Sequence, residues 1–393
     1  MTKQSFSLKN KVAIVGVGES DIGKVPTMSG LGLNTQASKR ALEDAGLGVK
    51  DIDGLLTAYS FTEPYTMLGS SLCEFMGLEP RMCASVVVGG ASPGVMLRHA
   101  AQAIACGTVD TVLVCAGENR ATGLGRDAAI AALTAVGHPQ FEQPYGGSIP
   151  GFYAMVAKRH MFEYGTTREQ LASVAVNTRA HAVLHPRAHM KTPLTLEQVL
   201  AAKPIADPLG MLDCCLISDA AGAFIVTSAE RARDMRMKPI YLLGIGEKHT
   251  HEHIMCAPSL IHFGAAESSR TAYEMAGIGP GDIDVAELYD CFTIVPIIEL
   301  EELGLCEPGQ GGAFFASGQA RLGGKLPVNT HGGMLSHAHA GAAGGLFGIV
   351  EAVRQLRGDQ GERQVQGAEL AIVHNEGGIL SSHCTSIFSN APA

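Results

Sequence analysis

The sequence contains no tryptophan, and aromatic residues make up only 5% of its 393 positions. A core without many large rings has to be built from Ala, Val, Ile, Leu and Gly, which suits small-residue helices packed closely on sheets. With 46% apolar residues and 48 glycines, the composition predicts an α/β protein with a buried sheet. The length is sufficient for two core-bearing units.

Other absences exclude whole classes of protein. No apolar run reaches the roughly 18 residues that a membrane span requires, and no charged segment followed by an apolar one opens the chain. Lysine and arginine form no cluster and the net charge is -9, which argues against a nucleic-acid or anionic-membrane surface. We therefore expect a cytoplasmic protein with no nucleic-acid or membrane partner.

The ten cysteines include no CxxC pair, and most of them lie within apolar runs. This pattern predicts reduced, packed thiols, Cys214 and Cys215 among them, rather than disulfides or a zinc site. No spacing of histidines matches a metal-binding motif such as HExxH. We therefore expect no bound metal.

One β-α-β pattern occurs twice along the chain. The first copy runs from a strand at 11–18, through a helix that stops at Gly46, to a strand at 54–57, and a similar sequence starts again at residue 238. Repetition of this kind predicts a duplicated β-α-β fold. The residues that are identical at one constant offset are Ala41, Ala45, Gly46, Gly48, Asp51, Ile52 and Asp53, matched by Ala272, Ala276, Gly277, Gly279, Asp282, Ile283 and Asp284.

The repeat divides the chain into two halves with a different segment between them. Residues 1–118 together with 207–235 are expected to form the first half, and residues 236–393 the second. The intervening residues 119–206 carry helical patterns and several arginines, which predicts an inserted helical cap over the site. Such a cap is a place for substrate selectivity. The chain is expected to return to a buried strand between 207 and 223.

Each half has a glycine-rich turn between a strand and a small-residue helix, at 86–107 and at 328–358. A further turn, 374–378, is predicted after a strand at 369–373. Equivalent turns should face each other across a pseudo-twofold axis, with a ligand at the helix N-termini. The backbone donors that we expect to stabilise negative charge there are those of Gly90, Gly333, Gly341 and Gly378.

The stretch VNTHGGMLSHAHAGAAGG, residues 328–345, places His331, His337 and His339 among glycines. A histidine in such a setting suits proton transfer, because its pKa lies near working pH and nearby amides can stabilise an anion. The alternative is a glycine-rich turn with surface histidines. His337 in particular is expected at the surface or behind the residues that contact substrate.

Taken in order, these motifs resemble the thiolase superfamily, specifically the sterol-carrier-protein-type thiolases and the lipid-transfer-protein aldolases. Besides the duplicated halves, the resemblance rests on IADPLGMLDCCLISDAAGA (205–223), AELYDCF (286–292), the stretch 328–345 and HNEGGILSSH (374–383). It covers essentially the whole chain. It implies a thiolase fold, in which two duplicated halves form a layered α-β-α-β-α sandwich, and it implies a homodimer.

The resemblance also assigns candidate site residues. The family motif His-Asp-Cys-Phe corresponds here to Tyr289-Asp290-Cys291-Phe292, and the histidine of the family's Gly-His-Pro corresponds to His339. Gly90 stands where the family has its nucleophilic cysteine, with Asp110 twenty residues later. The related aldolases also have tyrosine at the position of Tyr289, but they carry a second tyrosine where this chain has His339.

Two nearby residues are poor substitutes for the missing nucleophile. Cys83 lies seven residues too early, at the far end of the preceding strand. Ser92 is the only nearby hydroxyl, and the sequence offers no base to activate it. Thiolytic cleavage needs a covalent acyl-enzyme, whereas retro-aldol cleavage of a β-hydroxyacyl thioester does not.

Within that chemistry, His339 is expected to donate to the oxyanion, Tyr289 to act as a base or an orienting hydroxyl, and Cys291 to shuttle a proton. His374 is a fourth candidate, because it follows a strand where the family places a catalytic turn. Each has a structural alternative: Tyr289 as a half-buried tyrosine at a strand end, and Cys291 as a core thiol. Asp290 is expected to cap or orient.

Three functions compete. The first is a lyase that cleaves a β-hydroxyacyl-CoA and works with a small partner protein of OB-fold and zinc-ribbon type, as the resembling aldolases do. The second is an acyltransferase with an unusual nucleophile, and the third is a non-catalytic subunit that binds acyl-CoA. In each case coenzyme A enters as part of the substrate and no bound cofactor is expected. The sequence does not specify the acyl group.

Overall fold

The computed structural model describes residues 7–392, so residues 1–6 and 393 of the expected halves lie outside the described part. The strands are β1 Val12–Glu19, β2 Gly54–Ala58, β3 Met82–Val86, β4 Thr111–Asn119, β5 Pro204–Ala206, β6 Leu209–Gly210, β7 Asp219–Ser228, β8 Ile240–His249, β9 Val285–Glu287, β10 Leu370–Gly377 and β11 Ser382–Ser389. The helices are α1 Gly30–Ala45, α2 Leu68–Met76, α3 Ser92–Ala105, α4 Arg120–Gly123, α5 Arg126–Thr134, α6 Ile149–Tyr164, α7 Arg168–Leu184, α8 Leu196–Leu200, α9 Ala229–Ala232, α10 Ala265–Ala276, α11 Val295–Glu302, α12 Gly311–Ala316 and α13 Gly344–Arg357.

Two half-sheets form the framework of the protein. The first has the order β3-β2-β4-β7-β1, and the second continues as β8-β11-β10-β9. They are joined by a short antiparallel pairing of β1 with β8, in which Ala13 lies opposite Tyr241. The short strands β5 and β6 pair separately.

Helices pack in layers against these half-sheets. The helix α1 lies on strands of the first half and α10 on strands of the second, whereas α3 and α13 contact each other and strands of both halves. The small residues Gly94, Gly345 and Gly348 allow the two central helices to lie close to their neighbours. The predicted α-β-α-β-α sandwich is confirmed.

The duplication is visible in matching local structure. The helices α1 and α10 each end at a glycine in the left-handed conformation, Gly46 (φ +71°) and Gly277 (φ +72°), which only glycine adopts at little cost. Asp53 accepts two backbone N–H groups at the start of β4, and Asp284 accepts two at the start of β10. These aspartates fix the same strand start in each half.

The segment between the halves is helical, and α4 to α8 lie within it. Its helix α7 begins with a capping box at Thr167 and packs against α12 and the turn 333–337. The strand expected between 207 and 223 starts later than predicted, at Asp219. A two-strand pairing of β5 with β6 and a turn at 211–213 occupy the residues before it.

The turn predicted at 374–378 is a strand for most of its length. The antiparallel ladder with β11 continues to Gly377, which pairs with Ser382, so β10 ends four residues later than the pattern suggested. His374 and Glu376 are therefore strand residues, and because they are two apart they share one face of the sheet. The prediction of a catalytic turn starting at His374 was wrong.

All ten cysteines are free, as expected. Cys214 and Cys215 are half-buried and pack against the core. The expectation of packing fails for three thiols, Cys83, Cys106 and Cys256, which are exposed. Within residues 7–392, no helix combines the length and apolar character needed to cross a membrane.

Candidate active site

Gly90 and Tyr289 meet at the junction of the two halves. A Cβ built on Gly90 would lie 2.1 Å from the hydroxyl oxygen of Tyr289, 2.3 Å from its Cζ and 2.4 Å from the carbonyl oxygen of Glu376. These distances are far inside van der Waals contact, so no side chain fits at residue 90 while Tyr289 is in place. The phenol fills the space that a side chain at residue 90 would need.

The glycine turn of the first half, after β3, faces the end of β10 in the second half. A Cβ on Gly89 would lie 2.7 Å from the backbone nitrogen of Gly378, and a Cβ on Gly377 would lie 2.0 Å from the carbonyl oxygen of Val88. The turn after β3 therefore packs backbone to backbone on the end of β10. Asn375 connects this contact to the start of α13 by donating a hydrogen bond to the Gly345 carbonyl (2.8 Å).

Tyr289 is buried, with 7% of its surface exposed. Its backbone N–H donates to Glu299 (2.8 Å), while its hydroxyl has no hydrogen-bond partner among the described residues. Burial, with Cys291 and Glu376 close by, raises the pKa of the phenol well above 10. Tyr289 is therefore a neutral hydroxyl that can donate or orient, which disfavours the role of base.

Cys291 faces the carboxyl group of Glu376, with 3.8 Å between Sγ and Oε2. Burial raises the pKa of this thiol well above its usual value, so it carries its proton. Glu376 is fully buried, and burial raises its pKa to about 8. Its Oε1 accepts the Leu380 backbone N–H (2.6 Å), and its Oε2 lies 2.9 Å from the Tyr153 hydroxyl.

Tyr153 and Glu376 are site residues that the sequence did not reveal. Tyr153 comes from α6 of the inserted segment, and its ring stacks on Phe292 at a centroid distance of 4.5 Å. Its hydroxyl also lies 3.1 Å from the Gly378 carbonyl. The only sequence signal for Glu376 is an acidic residue at the end of an apolar strand, and Tyr153 has none.

His339 is held by the segment before β7. Its Nδ1 donates to the Leu216 carbonyl (3.3 Å), and since a carbonyl only accepts, the proton is on Nδ1 and Nε2 carries the lone pair. Burial and then the charge of Arg120 lower its pKa to about 3, which keeps the ring neutral. The geometry thus favours an acceptor at Nε2 over the expected oxyanion donor.

His339 and Gly90 flank the start of α13. A Cβ on Gly344 would lie 2.8 Å from Cδ2 of His339, and a Cβ on the next residue, Gly345, would lie 2.6 Å from the carbonyl oxygen of Gly90. Two adjacent glycines therefore bring the histidine and the Gly90 turn to one helix N-terminus. That end of a helix favours negative charge.

His374 lies beneath this group. Its Nδ1 is 2.8 Å from the Thr385 hydroxyl, its Nε2 is 3.1 Å from Nδ1 of His383, and burial lowers its pKa well below 6.5. It approaches the site only through Glu299, whose carboxyl oxygen is 3.9 Å away. The ring is in a position to support the strand rather than to meet substrate.

Two of the four predicted backbone donors lie against carboxylates. A Cβ on Gly333 would lie 2.0 Å from a carboxyl oxygen of Asp290, and one on Gly341 would lie 2.3 Å from Glu118. A developing oxyanion would be repelled there. Asp290 accepts the Met334 N–H (2.6 Å) and so orients the turn 333–337, as expected.

His337 is fully buried, which excludes the surface position and leaves the other expected alternative, a position behind the residues that contact substrate. Within the described residues, one group could offer ligands to a metal ion: Glu19, His185 and His337, with candidate ligand atoms within 4.8 Å of one another. However, Arg187 and Arg354 both contact the Glu19 carboxylate. Nδ1 of His185 accepts a hydrogen bond from the backbone N–H of Arg187 (3.1 Å), so the proton of the neutral ring is on Nε2. Two guanidinium groups and a protonated Nε2 suit a cation poorly.

Comparison with known proteins identifies the family of this arrangement. The family model "Thiolase C-terminal domain-like" matches residues 246–390. The acetyl-CoA acetyltransferase of Methanothermobacter thermautotrophicus is 37% identical over 388 residues, covering 96% of this chain and 99% of that protein. The 17-hydroxy-3-oxo-4-pregnene-20-carboxyl-CoA lyase of Mycobacterium tuberculosis is 34% identical over 95% of this chain and 98% of that one.

A solved structure named as an Ltp2-ChsH2(DUF35) aldolase superposes with a TM-score of 0.86 at 32% identity, covering 98% of this chain and 99% of that chain. Lyases, aldolases and acetyltransferases of one fold thus resemble this protein along its whole length. The chain is an enzyme of the thiolase superfamily and belongs to its branch of sterol-carrier-protein-type thiolases and aldolases.

Proposed function

We propose that this enzyme cleaves the Cα–Cβ bond of a β-hydroxyacyl-CoA by a retro-aldol reaction that involves no acyl-enzyme. One observation carries the proposal: the Tyr289 hydroxyl occupies the space of a side chain at residue 90. A nucleophile cannot be placed there, whereas a hydroxyl that donates to a developing negative charge can.

The remaining groups supply the rest of the reaction. Nε2 of His339 accepts the hydrogen bond of the substrate β-hydroxyl and takes its proton as the Cα–Cβ bond breaks. The carbonyl product leaves, and the electron pair of that bond becomes the enolate of the acyl thioester. The negative charge of the neighbouring enolate favours the protonated imidazole of His339. This charge offsets the low pKa that burial gives the ring.

The enolate needs donors for its oxygen and a proton for its carbon. The proposed donors are the Tyr289 hydroxyl, which contacts Gly90, and the backbone N–H groups of Gly90 and Gly378; Gly378 packs against Gly89, the neighbour of Gly90. The Cys291 thiol, still protonated because of its burial, gives its proton to Cα. This order of steps uses five of the predicted residues and leaves His374 in a supporting role.

The substrate and partner proposals follow from the relatives. The mycobacterial relative is named as the lyase of a hydroxylated carboxyl-CoA, and the solved neighbour is named with a DUF35 component. We propose a β-hydroxyacyl-CoA as substrate and a small OB-fold, zinc-ribbon protein as partner. A homodimer through the edge strand β3, whose residues 83–85 are exposed, completes the proposal.

The test is to incubate the protein, with and without a DUF35-type partner, with a β-hydroxyacyl-CoA and to identify the products by mass spectrometry. Release of an aldehyde or ketone together with the shortened acyl-CoA supports the lyase. This release should fall in Tyr289→Phe and His339→Ala. No carbonyl product under any of these conditions would refute it.

An acyltransferase is the second candidate, favoured by the 37% identity to an acetyl-CoA acetyltransferase. It requires a nucleophile, and burial raises the pKa of Cys215 to about 12 and that of Cys291 well above its usual value. Neither thiol is activated. Cleavage of a β-ketoacyl-CoA that depends on free CoA would establish this function instead.

A further inference from the structure

Cys291 is the group that gives a proton to the enolate in the proposed reaction, and one carboxyl group stands behind it. The Sγ atom lies 3.8 Å from Oε2 of Glu376, and neither residue is open to solvent to more than 5%. While product occupies the site, a buried thiol that has lost its proton has no direct path to bulk water and is reprotonated first by a group in contact with it. Oε2 of Glu376, the carboxyl oxygen in contact with the thiol, is therefore the natural source.

The hydrogen bonds around Glu376 specify where its proton is. Oε1 accepts the Leu380 backbone N–H (2.6 Å), so a proton on the carboxyl group is on Oε2, which faces both Cys291 and Tyr153. The Tyr153 hydroxyl can accept from that proton while it donates to the Gly378 carbonyl (3.1 Å). When the carboxyl group is ionised, the same hydroxyl can turn and donate to Oε2.

We infer that Glu376 is the proton store of Cys291, with Tyr153 of the inserted segment as the positioning residue that holds it. This inference rests on the proposed function. In each turnover the Cys291 S–H bond breaks and a C–H bond forms at Cα, which leaves a thiolate. The Oε2–H bond of Glu376 then breaks and the S–H bond forms again, which leaves a carboxylate. After the products leave, the proton taken up by His339 returns to solvent, and Glu376 regains one from the water that enters the site.

The surroundings of Glu376 keep its carboxyl group protonated near neutral pH. The ionisable groups that face Glu376 are Tyr153 on α6, Tyr289 and Cys291 after β9, and Glu299 on α11, and none of them is a cation. Burial raises the pKa of Glu376 to about 8, and the hydrogen bond of Tyr153 lowers it. The acid form, which is the competent one, is therefore lost as the pH rises through about 8.

The test uses Glu376→Gln, which keeps the shape and the acceptor for Leu380 but has no proton to release. The Cys291 thiol still holds its own proton, so rapid-quench kinetics should show one normal turnover per active site. Later turnovers should slow by about 100-fold, the lower range for general acid–base catalysis. The measured signature is a burst of one equivalent of acyl-CoA product followed by a slow phase.

Three outcomes of this experiment are distinct. An equal slowing of first and later turnovers shows a structural role and overturns the inference. Unchanged kinetics in Glu376→Gln also overturn it, while the lyase activity of the unmodified protein stands. If the unmodified protein releases no carbonyl product, the proposed function fails and the inference fails with it.

A second variant remains decisive if Glu376→Gln does not fold. Because the Tyr153 hydrogen bond lowers the pKa of Glu376, Tyr153→Phe should move the alkaline limb of the turnover profile to higher pH. Tyr273→Phe is the matched control. Tyr273 lies on α10 in the outer layer, and its buried hydroxyl donates to the Leu303 carbonyl (3.1 Å). A Tyr153→Phe limb that coincides with that of the control would overturn the inference.

Discussion

The contact between Gly90 and Tyr289 predicts a measurable coupling between the two residues. Gly90 is not in the left-handed region, so alanine is compatible with its backbone and the penalty of Gly90→Ala is steric. The added methyl would meet three atoms within 2.4 Å, two of them on the Tyr289 ring. Overpacking of a tight interior typically costs about 1–3 kcal/mol, and we expect about 3 kcal/mol here.

The coupling follows from removing the ring. In a Tyr289→Ala background two of these three close contacts are gone, and the one with the Glu376 carbonyl oxygen at 2.4 Å remains. We therefore expect Gly90→Ala to cost at least about 1 kcal/mol less in that background than in the natural chain. The free energies of unfolding of the two single variants and the double variant, measured by urea denaturation, give this coupling energy.

Gly281→Ala is the control, because a Cβ there meets nothing within 4 Å and its backbone is also outside the left-handed region. It should change the free energy of unfolding by no more than about 0.5 kcal/mol. Additivity of Gly90→Ala and Tyr289→Ala to within about 0.5 kcal/mol would show that the two residues do not compete for space. The structural argument for a displaced nucleophile would then fail.

Three further predictions concern single residues. His339→Ala should lower kcat by about 100-fold or more in steady-state assays, while the free energy of unfolding stays close to that of the natural protein; retained kcat would remove it from the mechanism. His374→Asn should lower the free energy of unfolding by about 1–3 kcal/mol with kcat nearly unchanged, because its ring supports the sheet, and a loss of kcat alone would reverse that assignment. Glu19→Gln should lower the free energy of unfolding by about 2–4 kcal/mol, because Arg187 and Arg354 both lose their carboxylate partner. Arg187 is the more exposed of the two and contributes less to this loss. The pKa of Glu19 is held well below its usual value, so its stabilisation is present above the unfolded pKa of about 4.3 and is lost as the pH falls through the folded pKa. Thermal unfolding of Glu19→Gln should therefore depend less on pH below about 4.3, and an unchanged acid dependence would contradict this.

Features fixed by neighbouring residues were predictable from the sequence. Asp53 and Asp284 each accept backbone N–H groups at the start of a strand, in equivalent positions of the two halves. Their repetition in the sequence therefore indicated the duplication directly. The spacing between Gly90 and Asp110 could also be read from the sequence, because both residues belong to one local unit. The duplication was therefore predictable from the residues themselves, whereas the layered fold and the assignment of Gly90 to the nucleophile position came from the resemblance to the thiolase superfamily, and that assignment stays a prediction.

Features that depend on distant pairing were not predictable. Glu376 meets Tyr153 across 223 positions of sequence, and the one local signal for Glu376, an acidic residue at the end of an apolar strand, does not indicate this contact. His374 lies in a strand because β10 pairs with β11 at this position. The pattern of apolar and polar residues along β10 does not show how far that pairing extends. His337 is buried because Glu19, at the end of β1, lies 3.3 Å from its Nε2. In each case the partner came from another part of the chain.

The central claim is that carbon–carbon cleavage occurs here without a covalent acyl-enzyme. The most direct measurement is mass spectrometry of a reaction that is run in D2O, quenched and then returned to H2O, which reads the products and the intact protein together. The account predicts a carbonyl product, an acyl-CoA that carries one solvent deuterium at Cα, and a protein of unchanged mass. An acyl adduct on the protein, formed from a β-ketoacyl-CoA and discharged by free CoA, would contradict it.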